Sequence, residues 1–305
     1  MGCMAGSGLD IMEGRVEVGQ IFDFSDIKKS EQAIRKTWSE FREALANGMF
    51  SYAEIDKAKE LTFLKVYDDL FHQHLGIEHK TIRIGDLDGT LVGRGTLLGE
   101  KEVPNYERFI PKKEFINKDN RFSPPGVEWL YLALGNEDEI HQCSQAECRV
   151  AKGNRFGFCH FSFEDSSLDL KLVDLTIADN VSYEELNSQL EKYGQKQVKK
   201  GIKAAKALGF IPKYNTNKAE LEKRLTEWAV YTHTKLLSEQ IFEPLDDADD
   251  KALMYAPFQT MAQYYISFGY SGIIYGSTVL SVGRNIVLFD KNNACPIGVI
   301  EDYIL

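Results

Sequence analysis

Two carboxylates in a glycine-rich turn are the first residues of this chain whose type and spacing could do chemistry. Asp86 and Asp88 are separated by one residue and stand between a predicted strand at residues 81–84 and Gly89. A pair of acids in this position could serve phosphoryl chemistry that depends on Mg²⁺. A local explanation competes with it, because an Asp caps a tight turn and the following Gly supplies a positive φ.

The segment Asp86-Leu-Asp-Gly-Thr-Leu91 resembles the nucleophile loop of the haloacid-dehalogenase phosphatases. That resemblance implies that Asp86 attacks phosphorus, that Asp88 is a general acid and that Mg²⁺ neutralises charge. Arg83 lies inside the preceding strand, two predicted helices precede the motif, and no later acidic pair completes a metal site. We therefore favour a plain Asp-Gly turn and keep the phosphatase as an alternative.

Other compact motifs are missing from the sequence. The glycines from Gly85 to Gly99 spell neither a phosphate-binding P-loop nor the GxGxxG of a dinucleotide-binding helix. The five cysteines contain no CxxC pair, which argues against a zinc ribbon or a disulfide framework. The histidines have no ligand spacing beyond His72 and His74, which would point to different sides of a helix. We expect no metal.

A second set of chemistry-bearing residues is dispersed along the chain. The order in which its segments occur is a more specific indication of a protein family than any one segment. The segments are Arg83 in a strand, Asn120-Arg-Phe-Ser-Pro-Pro-Gly126, Leu130-Tyr-Leu-Ala-Leu134, Ala146-Glu-Cys-Arg149, Tyr255-Ala-Pro-Phe-Gln259, Gly272-Ile-Ile-Tyr-Gly-Ser277 and Asn285-Ile-Val-Leu-Phe-Asp290.

In order and wording these segments resemble the RES domain family, which is named for its Arg, Glu and Ser. Its members are toxins of bacterial RES–Xre toxin–antitoxin pairs that destroy NAD⁺. The resemblance covers about residues 80–180 and 250–290. It implies an α+β fold with an ADP-ribosyltransferase-like two-sheet core. This chain departs from the family pattern at Asn120, where Gly is usual, and in a long loop before Glu147, which makes Glu139 a second candidate for the family's Glu.

Carried over by position, the resemblance implies that Glu147, Arg83 and Ser277 are catalytic and that Arg121 and Tyr131 bind substrate. Cleavage of the nicotinamide–ribose bond passes through an oxocarbenium-like state, which a carboxylate such as Glu147 would stabilise. The two guanidiniums suit the pyrophosphate of NAD⁺. The ring of Tyr131 could stack on nicotinamide, and Ser277 could hold a ribose hydroxyl or an amide.

In this interpretation NAD⁺ is the substrate and no cofactor is needed. Water, phosphate as a co-substrate, or a target protein for ADP-ribose transfer could each accept the ribose. Family membership also implies a protein antitoxin that covers the pocket. Because each of these residues also has an ordinary structural explanation, a non-catalytic binding module remains the other alternative.

Helical periodicity in the sequence predicts the helices that surround this core. We predict an N-terminal helical lobe at residues 1–76, with helices at residues 27–45 and 55–75, and a RES-like domain at residues 77–305. A lysine-rich helical insertion interrupts that domain at about residues 182–240. The N-terminal helices could contact the antitoxin, form a homo-oligomer or pack on the core.

Composition excludes several classes of protein. Hydrophobic residues make up 43% of the 305 residues, enough to bury a core, which excludes a disordered chain. The formal net charge of −10 argues against a direct nucleic-acid partner. The uncharged stretch at residues 252–283 is too polar for a membrane helix, and no signal peptide is recognisable. We therefore expect a reduced, cytoplasmic protein.

Overall fold

The computed structural model describes residues 26–70, 80–87, 89–208, 218–242 and 250–305. Within these ranges seven helices pack on an eight-stranded mixed sheet. This arrangement confirms the predicted α+β class.

The helices fall into three groups along the sequence. Three precede the first strand, one lies between the third and fourth strands, and three lie between the fifth and sixth strands. They are α1 (Ile27–Ala46), α2 (Ile55–Ala58), α3 (Thr62–Asp68), α4 (Glu137–Glu147), α5 (Tyr183–Leu208), α6 (Lys218–Phe242) and α7 (Lys251–Ser267). The strands are β1 (Thr81–Arg83), β2 (Leu91–Leu97), β3 (Leu130–Gly135), β4 (Arg155–Phe163), β5 (Lys171–Asp174), β6 (Gly272–Gly276), β7 (Arg284–Leu288) and β8 (Ala294–Ile304).

The strand order is β1-β5-β6-β7-β3-β2-β4-β8, and in the described chain only β5 and β6 pair in parallel. The expected two-sheet core is therefore corrected to one continuous sheet. Its two halves are joined weakly, because β2 pairs with β3 only from Leu91 to Gly93, whereas it pairs with β4 as far as Leu97. Beyond Gly93 the two halves separate, and a cleft opens between them.

The glycine-rich sequence of residues 85–99 is typical of turns and does not predict strand β2. Its glycines have a packing role instead: a Cβ at Gly93 or Gly95 would overlap the ring of Phe158 or Phe156. The two rings, together with Ile140 of α4, belong to one buried cluster between this helix and the sheet. A glycine in a strand often marks such a close approach, and here it seats α4 beside the cleft.

The predicted helix at residues 55–75 is interrupted in the structure. Before it, the Ser51 backbone N–H donates to the Glu54 carboxylate at 2.8 Å. The chain then forms α2 and α3 as separate short helices, because Leu61 adopts an extended backbone with φ −80° and ψ 141°. The end of the predicted helix lies outside the described residues.

The N-terminal helices share a hydrophobic core with the sheet. Trp38 of α1 and Phe63 and Tyr67 of α3 belong to the same buried cluster as Tyr265 of α7 and Ile273 of β6. Burial of aromatic side chains on this scale is a major stabilising contribution. These helices therefore pack directly on the core. None of the described helices combines the length and apolar character needed to cross a membrane.

Candidate active site

The cleft between β2 and β3 contains two neighbouring cavities, of about 320 and 620 Å³. Arg94, Asn120 and Tyr131 line both cavities, so the two adjoin. Each volume falls in the range of about 300–1,000 Å³ that is usual for ligand sites. The smaller cavity also reaches Glu147, Cys148, Tyr255, Tyr275 and Asn285.

Glu147 is the last residue of α4, and its side chain lies at the wall of the smaller cavity. Its Oε1 accepts a hydrogen bond from Ser277 Oγ at 2.9 Å and another from Asn285 Nδ2 at 2.7 Å. Both donors are neutral, and among the described residues no cation forms an ion pair with Glu147. The carboxylate is thus held in place by neutral donors, without a direct ion pair, at the wall of the cleft.

Ser277 follows β6 and is almost completely buried, with 1% of its surface exposed. Its backbone N–H donates to the carbonyl of Gly283 at 2.8 Å. Its Oγ accepts from the backbone N–H groups of Val279 and Leu280, at 3.3 and 3.2 Å. Because the hydroxyl then donates to Glu147, Ser277 orients the carboxylate. The direct substrate contact that the sequence suggested for Ser277 stays a prediction.

Arg94 is the first residue of β2 beyond the last pair with β3, so it stands where the cleft opens. Its Nη1 is buried and has no hydrogen-bond partner among the described residues. Burial lowers the pKa of Arg94 to about 10, which still leaves it charged at neutral pH. A buried guanidinium without a partner is costly. A bound anion would satisfy it.

Arg121 supplies a second cation to the cleft. Its guanidinium lies over the ring of Tyr255 at 5.2 Å and near that of Phe258 at 5.7 Å, and burial lowers its pKa. Its loop is anchored by Gln259 of α7, whose Nε2 donates to Asp119 at 3.0 Å. In the described part of the chain the Arg121 side chain has aromatic contacts and no direct ion pair, and the nearby Glu147 carboxylate opposes the lowering of its pKa.

Tyr131 lies on β3 between the two cavities. Its hydroxyl and Ser123 Oγ are 2.9 Å apart, and burial raises its pKa. Tyr275 of β6 lines the same cavity and has its pKa raised well above the ordinary value by burial. Both phenols therefore stay protonated at neutral pH. They offer aromatic surface and neutral hydrogen-bonding groups to a ligand.

Cys148 also lines the smaller cavity. Burial raises the pKa of its thiol to about 11, and Glu147 raises it further while Arg94 opposes the shift. The thiolate is the nucleophilic form of cysteine, and it is scarce at neutral pH with such a pKa. Cys148 is therefore part of the cavity wall and not a reactive thiol.

Of the five residues to which the resemblance assigns a role, Arg83 is the one that lies outside the cleft. It is exposed on the edge strand β1, where it forms a two-pronged ion pair with Asp86, with both N···O distances at 2.9 Å. Strand β5 separates β1 from β6. The catalytic role implied for Arg83 is therefore corrected, since its position gives it no access to Glu147.

The Arg83–Asp86 ion pair involves one of the two acids of the alternative phosphatase motif, Asp86 and Asp88. Asp86 ends a 3₁₀ turn and is held by Arg83, which lowers the pKa of its carboxyl group. Gly89 has a φ of 69°, as the predicted Asp-Gly turn requires. Asp88 lies outside the described residues.

The structure also separates the two candidate glutamates. Glu139 is in the first turn of α4, where its carboxylate accepts from the backbone N–H of Asn136 at 2.9 Å. Asn136 Oδ1 accepts from the Glu139 N–H at 3.0 Å in return, which completes a capping box. Glu139 therefore stabilises the start of α4. Glu147, two turns later on the helix, is the one of these two glutamates that lines the cleft.

Sequence reasoning missed two residues of this site. Arg94 was counted among the turns, although its apolar neighbours Leu91 and Val92 were a signal for a strand. Asn285 was noted only as the start of a strand, although a buried amide in an apolar run requires a hydrogen-bond partner. In the structure that partner is Glu147.

Comparison with known proteins finds no matching family model, curated protein or solved structure.

Proposed function

We propose that the cleft binds NAD⁺ and cleaves its nicotinamide–ribose bond, with Glu147 stabilising the positive charge that develops on the ribose. The observation that carries this proposal is the setting of Glu147. Two neutral donors, Ser277 and Asn285, fix its carboxylate at the cavity wall without neutralising it. A preorganised charge of this kind acts on the transition state more strongly than on the ground state.

The cations of the cleft support a dinucleotide as the ligand. Arg94 and Arg121 are charged, and neither forms an ion pair with a described residue. Guanidinium groups match the oxygen geometry of a pyrophosphate. Binding an anion between them would offset the cost of burying Arg94. The RES-like roles expected for Arg83 and Arg121 are thus assigned to Arg94 and Arg121.

Aromatic groups suit the other end of the substrate. Tyr131, Tyr255 and Tyr275 line the smaller cavity, next to Glu147. A flat nicotinamide ring can stack on such surfaces, which would place the scissile bond beside the carboxylate. The larger cavity then has room for the adenosine part of the molecule.

In the cell, NAD⁺ loss of this kind would make the protein a growth-inhibiting toxin, as the resemblance to the RES family implies. A partner antitoxin would then act by covering the cleft. The proposal includes both hydrolysis and phosphorolysis, since water and phosphate would approach the same face of the ribose.

Incubation of the purified protein with NAD⁺, followed by chromatography, tests the activity. We expect free nicotinamide, with ADP-ribose in plain buffer and a phosphorylated ADP-ribose if phosphate is the acceptor. Labelled ADP-ribose on a protein would indicate transfer. Turnover that persists in EDTA would reject the Mg²⁺-dependent phosphatase, whereas intact NAD⁺ after hours with and without phosphate would indicate a non-catalytic module and overturn the proposal.

A further inference from the structure

Four side chains with metal-ligating atoms meet at the end of α4 that is remote from Glu147. Glu137 and His141 lie one turn apart on this helix, His160 lies on β4 and Glu301 on β8. One ligand atom from each residue lies within 4.8 Å of the other three. We call these four residues the His–Glu cluster.

The spacing of the His–Glu cluster matches a tetrahedral metal site. His141 Nε2 is 3.3 Å from Glu137 Oε1 and 3.4 Å from Glu301 Oε1, and His160 Nε2 is 3.2 and 3.8 Å from the same two oxygens. In a tetrahedral zinc site with ligands at about 2.0–2.1 Å from the ion, neighbouring ligand atoms are about 3.3 Å apart. Four ligand atoms define six separations: three of the four His–Glu separations agree with that spacing, and all six lie within 4.8 Å.

Charge and ligand type favour a divalent transition metal. Two carboxylates that share one small space repel each other unless a cation lies between them. With both imidazoles neutral the ligand set carries two negative charges, which one divalent ion balances. Histidine nitrogens with carboxylate oxygens are typical zinc ligands, and magnesium and calcium prefer an all-oxygen set.

Neighbouring side chains orient the imidazoles. The ring of His141 lies against that of Phe158, with centroids 3.8 Å apart, and the ring of His160 meets Phe158 edge-on at 5.1 Å. The hydroxyl of Tyr303 lies 3.5 Å from His141 Nδ1 and accepts from Gln145 Nε2 at 2.9 Å. Outer contacts of this kind direct the other ring nitrogen, Nε2, toward a metal.

We propose that the His–Glu cluster binds one Zn²⁺ ion, which fastens the start of α4 to β4 and β8. All four ligands come from the protein, so the site is closed, as structural zinc sites are. It is separate from the cleft, and it is independent of the NAD⁺ proposal because it involves none of the cleft residues.

Zinc and cobalt titrations of the full chain, purified through a tag without histidine and stripped with EDTA, test this site. We expect one equivalent of Zn²⁺ per chain by elemental analysis after desalting, a higher Tm with zinc, and the intense visible absorption of four-coordinate Co²⁺. His160→Asn and Glu301→Gln should each weaken zinc binding by at least about 100-fold, since each removes a ligand. Glu100→Gln, a carboxylate change outside the cluster, should leave it unchanged.

Folding of both variants is checked by far-UV circular dichroism, and Glu301→Gln keeps the shape of the side chain should His160→Asn fail to fold. Absence of stoichiometric zinc from the wild type, or equal affinity in folded Glu301→Gln, would overturn the proposal and leave a network of imidazole–carboxylate ion pairs. A six-coordinate Co²⁺ spectrum would also contradict the closed site.

Discussion

The cleft and the β1 edge of the sheet contain the same types of charged side chain and arrange them in opposite ways. At the β1 edge, Arg83 and Asp86 neutralise each other in an exposed ion pair. In the cleft, Arg94 lacks a hydrogen-bond partner among the described residues, and Glu147 is held by neutral donors alone. An exposed pair is screened by solvent and contributes little. Charges that are fixed but kept apart can act on a ligand.

The charges of the β1 edge are therefore already satisfied, whereas those of the cleft remain available to a ligand. A guanidinium that is paired with a carboxylate must give up that ion pair before it binds an anion. Arg94 forms no ion pair with a described residue, so it can bind an anion without breaking one. The Glu147 carboxylate likewise needs no rearrangement before it acts on a positively charged ribose. The following experiments set residues of the cleft against matched residues elsewhere.

The largest effect is expected for Glu147→Gln. Glutamine keeps the shape and an oxygen that can accept from Ser277 and Asn285, but it removes the negative charge. We expect kcat for NAD⁺ cleavage to fall by about 10²–10³-fold, as for the loss of one preorganised electrostatic group. Glu139→Gln is the matched control, because glutamine can also complete a capping box and should leave kcat nearly unchanged. An equal fall in kcat for the two variants would contradict a catalytic role that is specific to Glu147.

The next effect is expected for Arg94→Ala, compared with Arg83→Ala. Loss of a charge-assisted contact with pyrophosphate should lower kcat/KM by about 10–100-fold. Arg83→Ala removes only an exposed ion pair and should stay within about twofold of the wild type. Steady-state kinetics on both variants measures the contrast. A larger fall in kcat/KM for Arg83→Ala than for Arg94→Ala would indicate that Arg83 on β1, and not Arg94, contributes to catalysis.

A smaller effect is expected for Ser277→Ala, since Asn285 still holds the Glu147 carboxylate. Loss of one hydrogen bond to a charged acceptor corresponds to about a tenfold fall in activity. The fall should appear in kcat rather than in KM if Ser277 orients Glu147 without touching substrate. A rise in KM at constant kcat would instead indicate that Ser277 binds the substrate directly.

The smallest effect concerns pH. The pKa of Arg94 in the free protein is about 10, so its positive charge is complete at pH 8 and half lost at pH 10. Because the charged form binds the anion, KM for NAD⁺ should rise about twofold between pH 8 and 10 and more steeply above. Arg94→Ala should lack this rise. Circular dichroism across the same range verifies that the protein remains folded, and an identical profile in both proteins would exclude Arg94 from binding.

The amino-acid sequence determined several parts of this structure by itself. Apolar runs predict strands at residues 129–134, 272–275 and 285–289, and β3, β6 and β7 begin and end within one residue of these bounds. Helical periodicity located α1 and the long helices α5 and α6. Four of the five predicted site residues, Arg121, Tyr131, Glu147 and Ser277, lie in or directly against the cleft. These patterns are local: residues within a few positions of one another decide whether a segment is a strand or a helix.

The tertiary structure alone decided which of these residues meet. Strands β2 and β3 pair over three residues and then separate, and this long-range arrangement opens the cleft and places Arg94, but not Arg83, at its wall. It also assigned Glu139 to a helix cap and Glu147 to the cleft, and it gathered the His–Glu cluster from positions up to 164 residues apart. Periodicity fixes the direction of a side chain within its own element. Contacts between elements depend on strand order and packing, which one-dimensional patterns do not contain.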